Sequence, residues 1–218
     1  MVTFNNIPAT IRLPGQYTEV DNSRALKGTA SNPHKVLILG QMTSDGTATA
    51  GELKQISGEL VGNGFFGPKS ILGRMCRKFK QANPYTQVYA IALDSAGGVK
   101  ASANIRLSQA LSHYSVVSTS NELLHFAVNG DNVTITLENG WSVVDVNSAI
   151  TDAINALPYC PVEASAISTS ALVKLTAVNS GTLGNNIDIR FNARTGEEYP
   201  TCFADSVILS AFVGRSEE

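Results

Sequence analysis

The sequence predicts an α+β fold: an extended N-terminal arm, a small α/β part of a main domain, and an inserted, mostly antiparallel β module with one helix. Three observations support this prediction. Prolines interrupt the first thirty-odd residues, a helical pattern then separates two apolar runs, and alternating segments with Asn-Gly turns follow. The predicted divisions are an arm over 1–33, the first part of the main domain over 34–96, the module over 97–195, and a return strand with a tail over 196–218.

The N-terminal arm is predicted to be extended. Pro8, Pro14 and Pro33 lack backbone donors and disfavour helix at the residues before them. The alternation of Ile11 and Leu13 fits a strand better than a helix. About 30 extended residues reach roughly 100 Å, more than one domain diameter. Two interpretations stay open: an arm that adds a strand to another chain's sheet edge, or a disordered terminus.

Residues 34–93 show a strand–helix–strand pattern. The continuous apolar run His34–Met42 predicts a strand buried on both faces, and Gln87–Leu93 predicts a second strand parallel to it. Pro68 suits the first position of the intervening helix. The glycine-rich stretch Gly62–Pro68 is interpreted as a plain turn, with a phosphate-binding loop as the alternative, although the Gly-Lys-Ser/Thr ending is missing. The apolar stripe of the helix is Ile71, Leu72, Met75, Phe79 and Ala82.

Hairpin patterns dominate the module. Two alternating runs flank Asn129–Asn132 and predict a β-hairpin. Ser142 and Asp145 have the spacing of a capping box, with Asp in place of Glu, at the start of a helix. Further strands are predicted over 101–107, 162–167, 171–178 and 186–191, and a last strand over 206–213 would lead back to the main domain. The buried helix stripe is Val143, Val146, Ile150, Ala153, Ile154 and Leu157.

Composition and spacing give no sign of chemistry. Charged residues make up 16% of the chain, below the roughly 25% of soluble domains, which is consistent with a surface covered by partners. A net charge of -2 and the lack of a run of about 20 apolar residues argue against nucleic-acid and membrane partners. We expect no catalytic residues, no cofactor and no metal, because the histidines and cysteines lack ligand spacing. Those residues are His34, His113, His125, Cys76, Cys160 and Cys202, the cysteines being interpreted as reduced thiols.

The residue order of the arm resembles a known family. The pattern Phe-x-x-Ile-Pro-x-x-Ile-Arg-x-Pro-Gly-x-Tyr-x-Glu-x-Asp-Asn-Ser runs from Phe4 to Ser23. It resembles the N-terminus of tail sheath proteins of Mu-like contractile-tailed bacteriophages, in which an arm links sheath subunits. The resemblance implies subunit-interface residues in the arm: Ile7, Pro8, Ile11, Arg12, Pro14, Gly15, Tyr17, Glu19, Asp21, Asn22 and Ser23.

The resemblance also implies a function. It suggests a structural subunit of a contractile tail sheath, which assembles with other copies of itself as hexameric rings in a helical stack. The implied partners are the tail tube protein and the baseplate and tail terminator proteins, and the implied location is the virion, after assembly in the host cytoplasm. Because family members are much longer, we expect a truncated form or a shortened relative. The alternative is a surface-exposed binding or decoration module of a virion.

Overall fold

A computed structural model of the chain describes residues 10, 12–16, 18, 34–93, 98–106, 120–167, 172–200 and 208–214. The chain divides into two compact units, Met1–Pro33 and His34–Glu218. Every described helix and strand belongs to the second unit. The unit combines helices with parallel and antiparallel strands, so the predicted α+β class is confirmed.

The first sheet has three strands in the order β1-β3-β2. These are β1 (Lys35–Gln41), β2 (Leu53–Ile56) and β3 (Gln87–Leu93). Strands β1 and β3 are parallel, as the strand–helix–strand pattern predicts, whereas β2 runs antiparallel to β3. The order places β1 and β2 at the two edges of this sheet.

Two helices lie between β2 and β3 along the chain. The prediction of a plain turn over Gly62–Pro68 is wrong, because α1 (Val61–Phe66) occupies most of it. Gly67 ends α1 with a φ of 89°, and a side chain there would collide with Thr43. Helix α2 (Ile71–Ala82) begins after Pro68, because Ser70 is its N-cap and accepts a 2.9 Å hydrogen bond from the backbone N–H of Gly73.

The module contains two antiparallel sheets and one helix. One sheet has the order β10-β4-β8-β7 and the other has the order β6-β5-β9. The elements are β4 (Lys100–Arg106), β5 (Glu122–Val128), β6 (Asp131–Leu137), α3 (Val143–Ala156), β7 (Val162–Ile167), β8 (Leu172–Ser180), a 3-10 helix (Thr182–Asn186), β9 (Ile189–Phe191) and β10 (Ile208–Leu209).

The local signals of the module are confirmed. Asn129 (φ 50°) and Gly130 (φ 90°) form the tight turn of the β5–β6 hairpin, which needs left-handed backbone at both positions. The capping box is present at the start of α3. Ser142 Oγ accepts from the N–H of Asp145, and the Asp145 carboxylate accepts from the N–H of Ser142 at 2.8 Å.

The end of the chain departs from its prediction. Of the strand expected over 206–213, the described residues 208–213 form only β10, which pairs with β4 of the module, and Val213 makes an isolated bridge to Ser102. These residues therefore extend the module rather than the first sheet. The strand expected over 186–191 begins only at Ile189, because residues 182–186 are wound into the 3-10 helix.

Two hydrophobic cores fill the second unit. The smaller core lies between the first sheet and helices α1 and α2, with Phe66, Leu72 and Cys76 fully buried in it. The larger core joins both module sheets to α3, and Phe126, Ile150 and Leu175 are among its members. The domain division expected between residues 96 and 97 falls within 94–97, outside the described residues, and stays a prediction.

Candidate subunit interface

The predicted interface residues of the arm are described only in part. Arg12, Pro14 and Gly15 are exposed and lie outside any helix or strand. Leu13 between them is 77% exposed. The other predicted positions lie outside the described residues, so the role of the arm stays a prediction. Those positions are Ile7, Pro8, Ile11, Tyr17, Glu19, Asp21, Asn22 and Ser23.

The first sheet carries an apolar face that the sequence prediction missed. The prediction that β1 is buried on both faces is wrong. Ile38 is buried against α2, whereas the side chains that alternate with it point away from both helices. On this apolar face Leu37 is 52% exposed, Leu39 50%, Leu53 55% and Leu93 48%.

The apolar face is continuous across the sheet. Leu39 and Leu53 are both register partners of Ile91, one on each side of β3, and Leu37 is the register partner of Tyr89. Neighbouring side chains at such positions contact one another on one face. Among residues 34–93, α1 and α2 cover only the opposite face. A patch of this kind marks an interaction site on a soluble protein.

Strand β1 adds an open edge to the same sheet. Among the described strands, β1 pairs with β3 alone. An unpaired row of backbone N–H and C=O groups along its seven residues is a template for another strand. A segment pairing there would continue the sheet, and its alternate side chains would extend the apolar face.

A set of polar contacts joins the two cores. Asn179 in β8 bonds both to the N-terminus of α2 and to the loop after β1. Lys69 Nζ donates to the carbonyl of Asn155 at 3.4 Å. The guanidinium of Arg77 lies 3.7 Å from the ring centre of Tyr159, a close cation–π contact. These contacts hold the module against α2.

The described residues contain no cluster of three or more His, Cys, Asp or Glu side chains that could hold a metal ion. Burial raises the pKa of the Cys76 thiol to about 11 and also raises the pKa of Cys160. Both thiols are buried and free, as the sequence suggested, whereas Cys202 lies outside the described residues. Such thiols are packing groups rather than nucleophiles.

Two further observations concern an aromatic side chain and membrane-spanning helices. Trp141 is partly buried and packs against the larger core. Within the described residues, no helix is both long and apolar enough to cross a membrane.

The chain matches a sheath protein along most of its length. Over 200 residues, or 91% of the chain, it is 30% identical to the Mu-like prophage FluMu tail sheath protein of Haemophilus influenzae. The resemblance to Mu-like tail sheath proteins is confirmed. The match extends far beyond the arm pattern, so it covers the module as well. The chain spans 39% of the length of this curated relative. No family model matches the chain.

Proposed function

We propose that this chain is a structural subunit of a contractile phage tail sheath. Its match to a Mu-like prophage tail sheath protein supports the structural role. The observation that carries the proposal is the apolar face of the first sheet. Leucines on β1, β2 and β3 stand about half exposed there, and burying apolar area contributes about 25 cal/mol per Å². Contact with another subunit would bury this apolar face, as assembly into a sheath requires.

The proposed assembly uses the arm. Residues 1–28 reach a neighbouring copy in a ring or a stack and add a strand to its sheet. Edge β1 and the apolar face beside it have the geometry that strand addition requires, since backbone pairing supplies affinity and alternate side chains supply specificity. The same assembly surrounds a tail tube and ends at baseplate and terminator proteins in the virion.

The mass of the purified chain in solution tests this function. We expect light scattering to show concentration-dependent species larger than the 23.1 kDa monomer, with rings or tubes in negative stain. A variant lacking residues 1–28 should unfold at the same temperature but stay monomeric, because all the described residues of both cores lie at or after Val36. A full chain that stays monomeric at all concentrations would contradict assembly by this chain. A lost thermal transition in the deletion would contradict a free arm.

A further inference from the structure

A cleft with a volume of about 610 Å³ opens between α2 and the turn of the β5–β6 hairpin. Arg74, Arg77 and Lys78 line it from α2, and Asp131 lines it from the turn. We call it the cationic cleft. The apolar face lies on the side of the first sheet away from α2, so it gives this cleft no role in assembly.

The three cations of this cleft differ in whether their side chains already have partners. Arg77 stacks on Tyr159, and its Nε lies 3.3 Å from Glu59 Oε1. In the described part of the chain, the side chains of Arg74 and Lys78 make neither a hydrogen bond nor an ion pair. Partial burial lowers the pKa of the Arg74 guanidinium, and the charge of Asp131 opposes the shift. A half-buried cation with no direct partner gains most from an anion brought to it.

A smaller cavity, lined by both apolar and polar residues, adjoins the cationic cleft. It has a volume of about 250 Å³ and shares Arg74 and Asn129 with the cleft. Ile71, Pro161 and Leu183 contribute to its lining, and Leu183 is 62% exposed. Together the two cavities favour a segment that carries carboxylates beside apolar side chains.

We propose that the cationic cleft binds the acidic stretch Tyr17–Ser23 of a second copy of this chain, with Glu19 and Asp21 paired to Arg74 and Lys78. The inference rests on the proposed self-assembly. The stretch has two carboxylates and two residues with apolar surface, Tyr17 and Val20. It contains no cation, because the chain has no Lys or Arg between Arg12 and Arg24. It is thus the complement of the cleft in charge and in apolar character.

The spacing of the charges also agrees. Arg74 and Lys78 are four residues apart on α2, which puts their side chains on one face with Cβ atoms about 5–6 Å apart. Side chains two residues apart on an extended segment point the same way and are separated by about 6.6 Å. Glu19 and Asp21 are two residues apart in the sequence, so an extended segment would give them this spacing.

Peptide binding to the full chain tests the cleft directly. The probe is a fluorescent peptide of the sequence Tyr17–Ser23, followed by anisotropy at low salt. Arg74→Gln and Lys78→Gln should each weaken binding about 2- to 5-fold, and added salt should weaken binding to the unaltered chain. Lys174→Gln removes an exposed cation from β8 and is the matched control, with no change expected. A peptide with Gln and Asn at positions 19 and 21 should not bind. Equal affinity for all variants would overturn the proposal.

Charge exchange separates this inference from the proposed function. Lys78→Glu should reduce assembly, and Asp21→Lys in the same chain should restore it, because the new ion pair forms between copies. If deletion of residues 1–28 blocks assembly but Arg74→Gln/Lys78→Gln does not, the cleft is wrong and the proposed function stands. If the intact chain never assembles, the proposed function fails, and peptide binding still tests the cleft. If Lys78→Glu changes protease cleavage of the arm in a strict monomer, the cleft holds the chain's own arm, which overturns the second-copy occupant.

Discussion

The side-chain amide of Asn179 joins Ile71 to Met42. Its Oδ1 accepts from the backbone N–H of Ile71 at 2.9 Å, and its Nδ2 donates to the carbonyl of Met42 at 3.3 Å. Asn179 is buried, and its two partners precede it by 108 and 137 residues. Asn179 therefore contributes two of the polar contacts that join the module to the first sheet and its helix.

Asn179→Ala should lower the free energy of unfolding by about 1–3 kcal/mol, since the partly buried N–H of Ile71 and carbonyl of Met42 lose their partner. Chemical denaturation followed by circular dichroism measures the loss. The control is Asn121→Ala, which removes one exposed hydrogen bond to the N–H of Asn139 within the module and should cost less than about 1 kcal/mol. Equal costs for the two variants would show that Asn179 does not hold the junction.

Strand β1 offers a comparison between its two faces. Leu37→Gln/Leu39→Gln changes side chains that are about half exposed, so we expect little change in thermal midpoint but a loss of higher-mass species. Ile38→Ala lies between them and removes a buried side chain, which should cost about 2–5 kcal/mol. Light scattering and differential scanning calorimetry distinguish the two effects. Unchanged assembly in the double variant would exclude the apolar face from the interface.

The capping box of α3 predicts a pH dependence. Hydrogen bonds from Ser142 hold the pKa of the Asp145 carboxyl below its ordinary value. A lowered folded-state pKa stabilises the fold above the ordinary carboxyl pKa, and this contribution is lost as the pH falls. Ser142→Ala should therefore lower the thermal midpoint at neutral pH, and should lower it by less below about pH 4. Ser148→Ala, on the exposed face of the same helix, should show neither effect.

The buried cysteines predict slow thiol chemistry. In a Cys202→Ser background, Cys76 and Cys160 should react with a disulfide reagent at pH 8 only as fast as the protein opens, since burial keeps both thiols protonated. Denaturant should release both at the rate of free cysteine. Because the raised pKa of Cys76 favours the protonated folded state, stability should fall as the pH rises above the ordinary thiol value. Fast labelling of the native chain would contradict this burial.

Features that depend on neighbouring residues were predictable. The Asn129–Gly130 turn needs left-handed backbone, and the Ser142–Asp145 box closes over three residues. The start of α2 is also encoded by a neighbouring residue, the N-cap Ser70, rather than by Pro68. The arm pattern pointed to the sheath relatives because residue order is itself a sequence property.

Burial and juxtaposition were decided by the tertiary structure. An apolar run such as Val36–Leu39 has the same sequence pattern whether one face or both faces of its sheet are covered. Leu37 is exposed because α1 and α2 pack on the opposite face. Asn179 reads as an ordinary strand residue until its distant partners are in place. Arg74 and Asp131 come to line one cleft only after both cores have formed. The sequence determined the helices and strands because short-range geometry encodes them, and its residue order showed the similarity to sheath proteins. The packing of layers and the formation of clefts depend on contacts between residues far apart in the chain, so only the tertiary structure decided them.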